Sequence, residues 1–461
     1  MELFSIRIRR TFQLVSTKKG MTRREFLGFS ALGLAGLTIL PSWSMNGVRI
    51  APSDRVVLGF IGLGQQGLSD FGGFAQCPGV QVAAGCDVDS IKRERFVRRI
   101  TKWQADNGMP QRCDQYEFYE EMLERKDIDA IEIATPDHWH ALCTIHSCQS
   151  GKDVYCQKPL AYTITEGLAM VKAVRENKRV LQVGSQQRSD KEFQQAIALV
   201  QQGAIGHIEK IYARVGEPPK PFDLPEQPVP NNLNFNQWMG PLNDPKIHYH
   251  PDLCPPVSLD PEKNEQLWGA WRWYRETGNG YTSDWGAHMF DIAQAAIGMD
   301  GSGPVEFIPK GYNGTKYATM KYANGIVMTE QPYREDNPNA QGIQFIGDKG
   351  WIKVARGYIE CSDPSLLEKK ETKIGKGQYE TSAPHMQNFI DCVRSRENPI
   401  APVEVGCSTN TLCCLTNIAL ELGRPVKWNP ATLSFVNDKE AAAHRLYWYQ
   451  YRNPYSLPDW Y

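Results

Sequence analysis

The residues best suited to chemistry fall into four groups. The first is Gly62-Leu63-Gly64-Gln65-Gln66-Gly67, with Asp87 twenty residues beyond Gly67. The second is Thr135-Pro136-Asp137-His138-Trp139-His140. The third pairs Gln157-Lys158-Pro159 with Gly184-Ser185-Gln186-Gln187-Arg188. The fourth lies far along the chain, from Gly278 to Asp291, where Asp284, His288 and Asp291 stand at i, i+4 and i+7. A GxGxxG run that follows a strand and opens a helix is a dinucleotide site. Gly62 permits the tight turn, Gly64 lets a pyrophosphate approach the backbone, and Gly67 lets helix and strand pack closely. The free N–H groups of the helix start then face the phosphates. Asp87 is placed to accept hydrogen bonds from ribose hydroxyls, which favours NAD over NADP, while Lys92 and Arg93 leave NADP open.

Taken singly, the other groups have plain structural readings. Asp137 suits a helix cap after Pro136, and an arbitrary lysine such as Lys158 is usually solvated. On one helix face, Asp284 reads as an N-terminal acid and His288 as a satisfied core histidine. Their location changes the odds, because ligands in open α/β sheets sit beyond the carboxyl ends of the strands.

The elements that position these groups follow from hydrophobic pattern. Apolar runs at 56–61, 80–86, 128–134, 153–156 and 180–183 are separated by stretches long enough for helices. Continuous apolar strands with helical crossovers indicate a parallel sheet covered on both faces. Past about residue 205 the runs at 208–215, 305–312, 317–322, 326–333, 342–346 and 351–354 are divided by turns such as Ala323-Asn324-Gly325. They predict an antiparallel or mixed sheet, with helices near 386–394 and 403–422.

Composition narrows the classes. The 461 residues carry 51 Lys+Arg against 52 Asp+Glu, a net charge of −1, which gives no basic excess for nucleic acid. Residues 26–40 are apolar and uncharged, too short to span a bilayer and of the right length for a signal h-region. Thr22-Arg23-Arg24-Glu25-Phe26-Leu27 before them resembles the twin-arginine export signal, and Met21 reads as the start. Residues 1–50 are therefore expected to be a targeting segment, the mature chain periplasmic and without stable membrane insertion. The twelve cysteines form no CxxC pair and are expected to be free, mostly buried thiols, with no metal site.

Together the nucleotide fold, the strand end Thr135-Pro136-Asp137-His138-Trp139-His140, the turn Gln157-Lys158-Pro159 and the Asp284-to-His288 spacing resemble the Gfo/Idh/MocA oxidoreductases, and Phe345 to Trp351 resembles that family's second-domain hairpin. The resemblance implies an α/β chain. Its N-terminal Rossmann domain would span 51–184, and a C-terminal α/β domain with an open, largely antiparallel sheet would span 185–461. It implies NAD, a small sugar or polyol substrate, and a homo-oligomer built through the C-terminal sheet. It assigns Lys158 to the space between nicotinamide and substrate hydroxyl, His288 to acid/base work, and Asp284 to substrate or to orienting the histidine. Thr135, Pro136, His138, His140, Gln157 and Gln186 join the glycine loop as cofactor contacts, with Arg188, Trp271, Arg272 and Tyr274 as sugar contacts. Gln157 departs from the family's usual Glu, which removes a negative charge beside Lys158. The expected reaction is oxidation of a sugar carbon on a tightly held, recycled NAD. The alternatives are an NAD-dependent glycosidase that oxidises, eliminates, adds water and reduces, and a non-catalytic sugar-binding module.

Overall fold

A computed structural model describes residues 43–45, 48–50, 54–260, 265, 267–367 and 378–458. The expected export signal lies outside the described residues. Two short strands, Trp43–Met45 and Val48–Ile50, precede the main body.

That body begins with strand β1 (Val56–Ile61), whose side chains are almost all buried, as both faces of a parallel sheet require. Helix α1 (Gln65–Phe74) and strand β2 (Val80–Cys86) follow, then α2 (Ser90–Asp106), capped by the Asp89 carboxylate. Strand β3 (Asp114–Tyr116), α3 (Tyr119–Leu123), β4 (Ala130–Ile133), α4 (Asp137–Gln149), β5 (Asp153–Cys156), α5 (Ile164–Glu176) and β6 (Leu181–Val183) complete the unit. The sheet is wholly parallel in the order β3-β2-β1-β4-β5-β6. This is the doubly wound dinucleotide order, with the topological switch between β1 and β4. Register does the positioning. Ile61 pairs with both Cys86 and Ile133, Ile133 with Cys156, and Cys156 with Val183. The residues that follow, Gly62, Asp87, Ala134, Gln157 and Gly184, therefore leave the sheet along one row.

The second part opens with α6 (Lys191–Gln201) and strand β7 (Ile208–Arg214), then a long arm carrying α7 (Phe235–Met239). Helices α8 (Gly280–Asp284) and α9 (Gly286–Ala296) lead into β8 (Glu306–Ile308), β9 (Thr319–Lys321), β10 (Val327–Thr329), β11 (Gly342–Gly347), β12 (Gly350–Ala355) and β13 (Tyr358–Cys361). Helices α10 (Gln378–Ser395) and α11 (Val403–Leu422), strands β14 (Val426–Asn429) and β15 (Ser434–Phe435), and α12 (Lys439–Ala442) end the chain. The nine-stranded sheet runs β13-β12-β11-β7-β10-β9-β8-β14-β15, antiparallel except for the β7–β10 pair. Helices α9 and α11 supply buried apolar side chains to its core, with Phe290, Leu412 and Ile418 beside Ile211, Met328 and Phe345.

The two parts share their interiors. Helix α10 returns to the first sheet, where Phe389 meets Phe74 and Tyr155 edge-on. All twelve cysteines are free and buried. No helix among the described residues is long and apolar enough to cross a membrane.

Candidate active site

The dinucleotide half is made mostly of backbone. Gly62 has φ +90°, and a Cβ there would stand 2.6 Å from the Ala134 carbonyl carbon and the Thr135 nitrogen. A Cβ on Gly67 would lie 2.2 Å from the Gly62 oxygen, whereas Gly64 has open space in front of it. Only the middle glycine faces room for a ligand, and the outer two hold loop, helix and strand together. Asp87 fixes the same loop. One carboxylate oxygen accepts the Leu63 N–H at 2.8 Å and the other the Asp89 N–H at 2.9 Å. The Arg93 guanidinium donates to the Asp87 carbonyl, so Arg93 braces the strand end. The cleft above is lined by Gly62, Gly64, Gln65, Gln66, Asp87, Lys92, Thr135 and Pro136. Trp238, Cys254, Trp268, Trp271 and Arg272 wall its other side. An open glycine at a helix start, with an acid at the next strand end, fits a dinucleotide.

A second cleft adjoins it and shares Gln66, Thr135, Trp268, Trp271 and Arg272. It is made of side chains from distant segments. Lys158 Nζ donates to Asp284 Oδ1 at 2.6 Å and to the Asp284 carbonyl at 3.2 Å. His288, Asp137, Gln157, Gln186 and Arg356 line the same space. Burial opposes ionisation of Asp284, but Lys158, Arg272 and Arg356 outweigh it and hold the carboxyl below its usual range. Burial, aided by Arg356 and Lys158, pushes His288 well below the usual imidazole value. Its Nε2 accepts an N–H from Arg356 at 3.2 Å, and its Nδ1 is buried without a partner among the described residues. Asp137 is pushed up to about 8 by burial, against the pull of Arg272 and Lys158. At neutral pH the cleft thus holds a fixed ion pair, a neutral imidazole and a largely protonated carboxyl.

Gln157 has a physical reason. Its Nε2 donates to Asp70 Oδ2 at 2.6 Å, and Gln66 Nε2 donates to the other oxygen at 2.8 Å. Asp70 is buried beside Glu132, a fully buried carboxyl kept protonated by burial and by Asp70. A glutamate at 157 would bring a further acid against Asp70. The amide supplies the donor that Asp70 needs.

Several expected contacts are placed elsewhere. Arg188 points away from the cleft into a buried network. It grips Asp291 at 2.7 and 2.9 Å and Asp300 at 2.6 and 3.0 Å, so no donor edge is left for a sugar. Tyr274 is buried and donates its hydroxyl to Asp223. His138 meets the Trp238 carbonyl, and His140 bridges the Thr135 and Pro159 carbonyls. Burial pushes both rings down to about 4; His138 ties α4 to α7, His140 joins the turns after β4 and β5, and neither lines the clefts. Asp284 and His288 do not share an unbroken helix. The helix is interrupted at Trp285 between α8 and α9, and at the start of α9 a Cβ on Gly286 would stand 2.8 Å from Cys413 Sγ on α11. Both nevertheless reach the cleft, as do Thr135, Gln157, Lys158 and Gln186. Trp271 and Arg272 lie at the junction of the two halves, with the guanidinium 4.2 Å from the Trp271 ring and 4.8 Å from that of Trp268. Asp137, which the sequence suits to a helix cap, is the first residue of α4 after the N-cap Pro136, and it lines the cleft. Arg356, on the turn between β12 and β13, carried no signal in its own sequence neighbourhood.

A doubly wound domain with a glycine loop, joined to a second sheet that supplies a lysine–aspartate pair and a histidine, defines a dinucleotide-dependent oxidoreductase. Residues 56–185 match the oxidoreductase family with the NAD-binding Rossmann fold, and residues 220–457 match that family's C-terminal alpha/beta domain. The chain belongs to the Gfo/Idh/MocA oxidoreductase family and uses NAD. Among curated proteins it is 28% identical over 206 residues to a glycosyl hydrolase family 109 protein of Shewanella pealeana, covering 41% of this chain and 44% of that one. It is 31% identical over 160 residues to an alpha-N-acetylgalactosaminidase of Shewanella oneidensis, covering 34% of this chain and 35% of that one. The match spans less than half the length of either relative. Among solved structures, an aldose-aldose oxidoreductase from Caulobacter crescentus shares the fold, with a TM-score of 0.55 at 18% identity, covering 81% of this chain and 99% of that one. A levoglucosan dehydrogenase does so with a TM-score of 0.56 at 16% identity, covering 81% and 98%.

Proposed function

We propose that this enzyme oxidises a hydroxyl-bearing carbon of a sugar, sugar derivative or polyol, and retains its NAD between turnovers. The observation that carries this is the Lys158–Asp284 pair with His288 in a cleft continuous with the glycine loop. When bound, the nicotinamide supplies a hydride acceptor. Lys158 holds the substrate oxygen as its negative charge develops, and Asp284 fixes the lysine's position. The neutral imidazole of His288 is in the form that accepts a proton. Retention is supported by the wall of Trp238, Cys254, Trp268 and Trp271 across the dinucleotide half. It also agrees with export by the twin-arginine route, which we propose for residues 1–50, because free NAD is scarce outside the cytoplasm.

A second reading rests on Asp137 and on the names of the curated relatives. A redox-neutral glycosidase needs a further group that gives and takes protons once the ketone has acidified its neighbouring C–H. A protonated carboxyl beside Lys158 supplies that group.

Freshly purified protein, denatured and assayed for nucleotide, is expected to release NAD close to one per chain. A screen of sugars and glycosides at the nicotinamide absorbance band then separates the readings. Net reduction by a free sugar supports the dehydrogenase, and release of sugar from a glycoside without net reduction supports the glycosidase. Replacing Lys158→Ala should lower turnover about 10²–10³-fold while the nucleotide stays bound. Full activity in that variant would sink both readings.

A further inference from the structure

The cleft beside the glycine loop holds more cation than its own carboxylates match. Lys158 is paired with Asp284 at 2.6 Å. Arg272 stacks on the Trp268 and Trp271 rings at the junction with the dinucleotide half and donates to the Gly269 carbonyl. Asp137 is largely uncharged at neutral pH. Arg356 is left over. Its guanidinium stacks 4.7 Å from the Trp285 ring centre and touches the neutral His288, and among the described residues it forms no ion pair. Burial pulls its own proton affinity down, and Asp284 and Asp190, neither of them paired with it, only partly offset this.

A guanidinium held against an indole face and aimed into a sugar-sized cleft is pre-organised, with an N–H edge for a planar anion. A carboxylate is planar and matches the flat fork of one guanidinium, whereas Arg272, the other arginine that lines the cleft, is held on Trp268 and Trp271 and donates to the Gly269 carbonyl. We propose that the substrate is an acidic sugar, a uronate or other sugar carboxylic acid, whose carboxylate sits on Arg356. This rests on the reading of the cleft as a sugar site. It also resolves the state of His288. In the free protein Arg356 spends an N–H on Nε2 and opposes protonation of the ring. A carboxylate that takes over the guanidinium frees Nε2 and cancels the local positive field, so the acidic substrate prepares the imidazole to accept the hydroxyl proton.

The holoenzyme as isolated, titrated by calorimetry with D-glucuronate, D-galacturonate, glucose, galactose and glucose 6-phosphate, tests this without needing turnover. At least one uronate should bind about 10- to 100-fold more tightly than its neutral parent, the range of a charge-assisted hydrogen bond. In Arg356→Gln that preference should collapse, and Arg356→Lys should restore only part of it, since an ammonium lacks the planar fork. Thermal melts and the nucleotide content of each variant confirm folding. Steady-state rates then separate the two claims. Uronate binding that depends on Arg356, with no sugar oxidised, would keep the acidic-ligand site and remove the oxidoreductase reading. Equal affinity for uronate and neutral parent, tighter binding of the phosphate ester, or a preference that survives Arg356→Gln would each overturn the proposal.

Discussion

The two halves of the cleft are built on opposite principles. The dinucleotide half is a feature of one short stretch of backbone, a six-residue loop locked by Gly62 and Gly67 and by the Asp87 carboxylate. The substrate half has almost no backbone in it. Lys158 leaves β5, Asp284 ends α8, His288 lies on α9 and Arg356 turns between β12 and β13. Sterics fix the first half and mutual charge fixes the second. A residue in the second half acquires its role from whatever the fold sets opposite it, so residue type alone predicts little there. Arg188 and Arg356 make the point. Both are arginines near the same cleft, but one is spent on two aspartates and the other is not.

The largest effect that would break this contrast comes from Arg188→Met. Arg188 and Asp291 are both buried, and removal of the guanidinium leaves Asp291 without its main partner. Breaking a buried pair costs about 3–5 kcal/mol. Urea or thermal unfolding should register that loss, while KM for the sugar in the folded variant stays at its native value. A raised KM with native stability would return Arg188 to the substrate.

Gln157→Glu sharpens the contrast from the other side, because it restores the family's usual residue. Here the new carboxyl would meet Asp70 in a buried site, and the Gln157 N–H that Asp70 accepts would be gone. A loss of about 2–3 kcal/mol is expected, the scale for a buried charged group left without a partner. Adding Asp70→Asn should recover part of it, since the amide again offers a donor to the carboxylate. Strictly additive losses in the double variant would show that the two residues do not communicate.

What could be read in the sequence follows the same division. The glycine loop, Asp87 and the apolar strands 56–61 and 80–86 were legible because each is set by neighbours a few residues away. Helix α11 was legible at both ends for the same reason. The edge strand β3, three residues reading Asp-Gln-Tyr, has no apolar run and was missed, and so were the short strands β13, β14 and β15. The helical face shared by Asp284, His288 and Asp291 was half right. The helix is interrupted at Trp285, and the partner of Asp291 is Arg188, more than a hundred residues earlier in the chain. Arg356 sits in the turn that pairs Ala355 with Tyr358. Nothing in Ala355-Arg356-Gly357-Tyr358 marks it, since its neighbours Trp285 and His288 come from another element.

The third test concerns Asp137, and its sign separates a protonated acid from a second ion pair. Its carboxyl is buried, and burial raises it to about 8 while Arg272 and Lys158 pull the other way and Asp284 and Glu166 add to the rise. In the unfolded chain the same group titrates near 3.9 (about the ordinary Asp value). Between those values the folded protein keeps a proton that the unfolded chain has released. Stability therefore falls as pH rises across this window, by up to about 1.4 kcal/mol per pH unit, and levels off above about pH 8. Asp137→Asn cannot titrate. Unfolding free energies of the two proteins, measured from pH 5 to pH 7.5 at fixed ionic strength, should diverge in favour of the Asn variant as pH rises. If the difference is instead independent of pH, Lys158 and Arg272 have already ionised the carboxyl in the folded state. The proton donor on which the glycosidase reading depends would then be absent, and the dehydrogenase reading would stand alone.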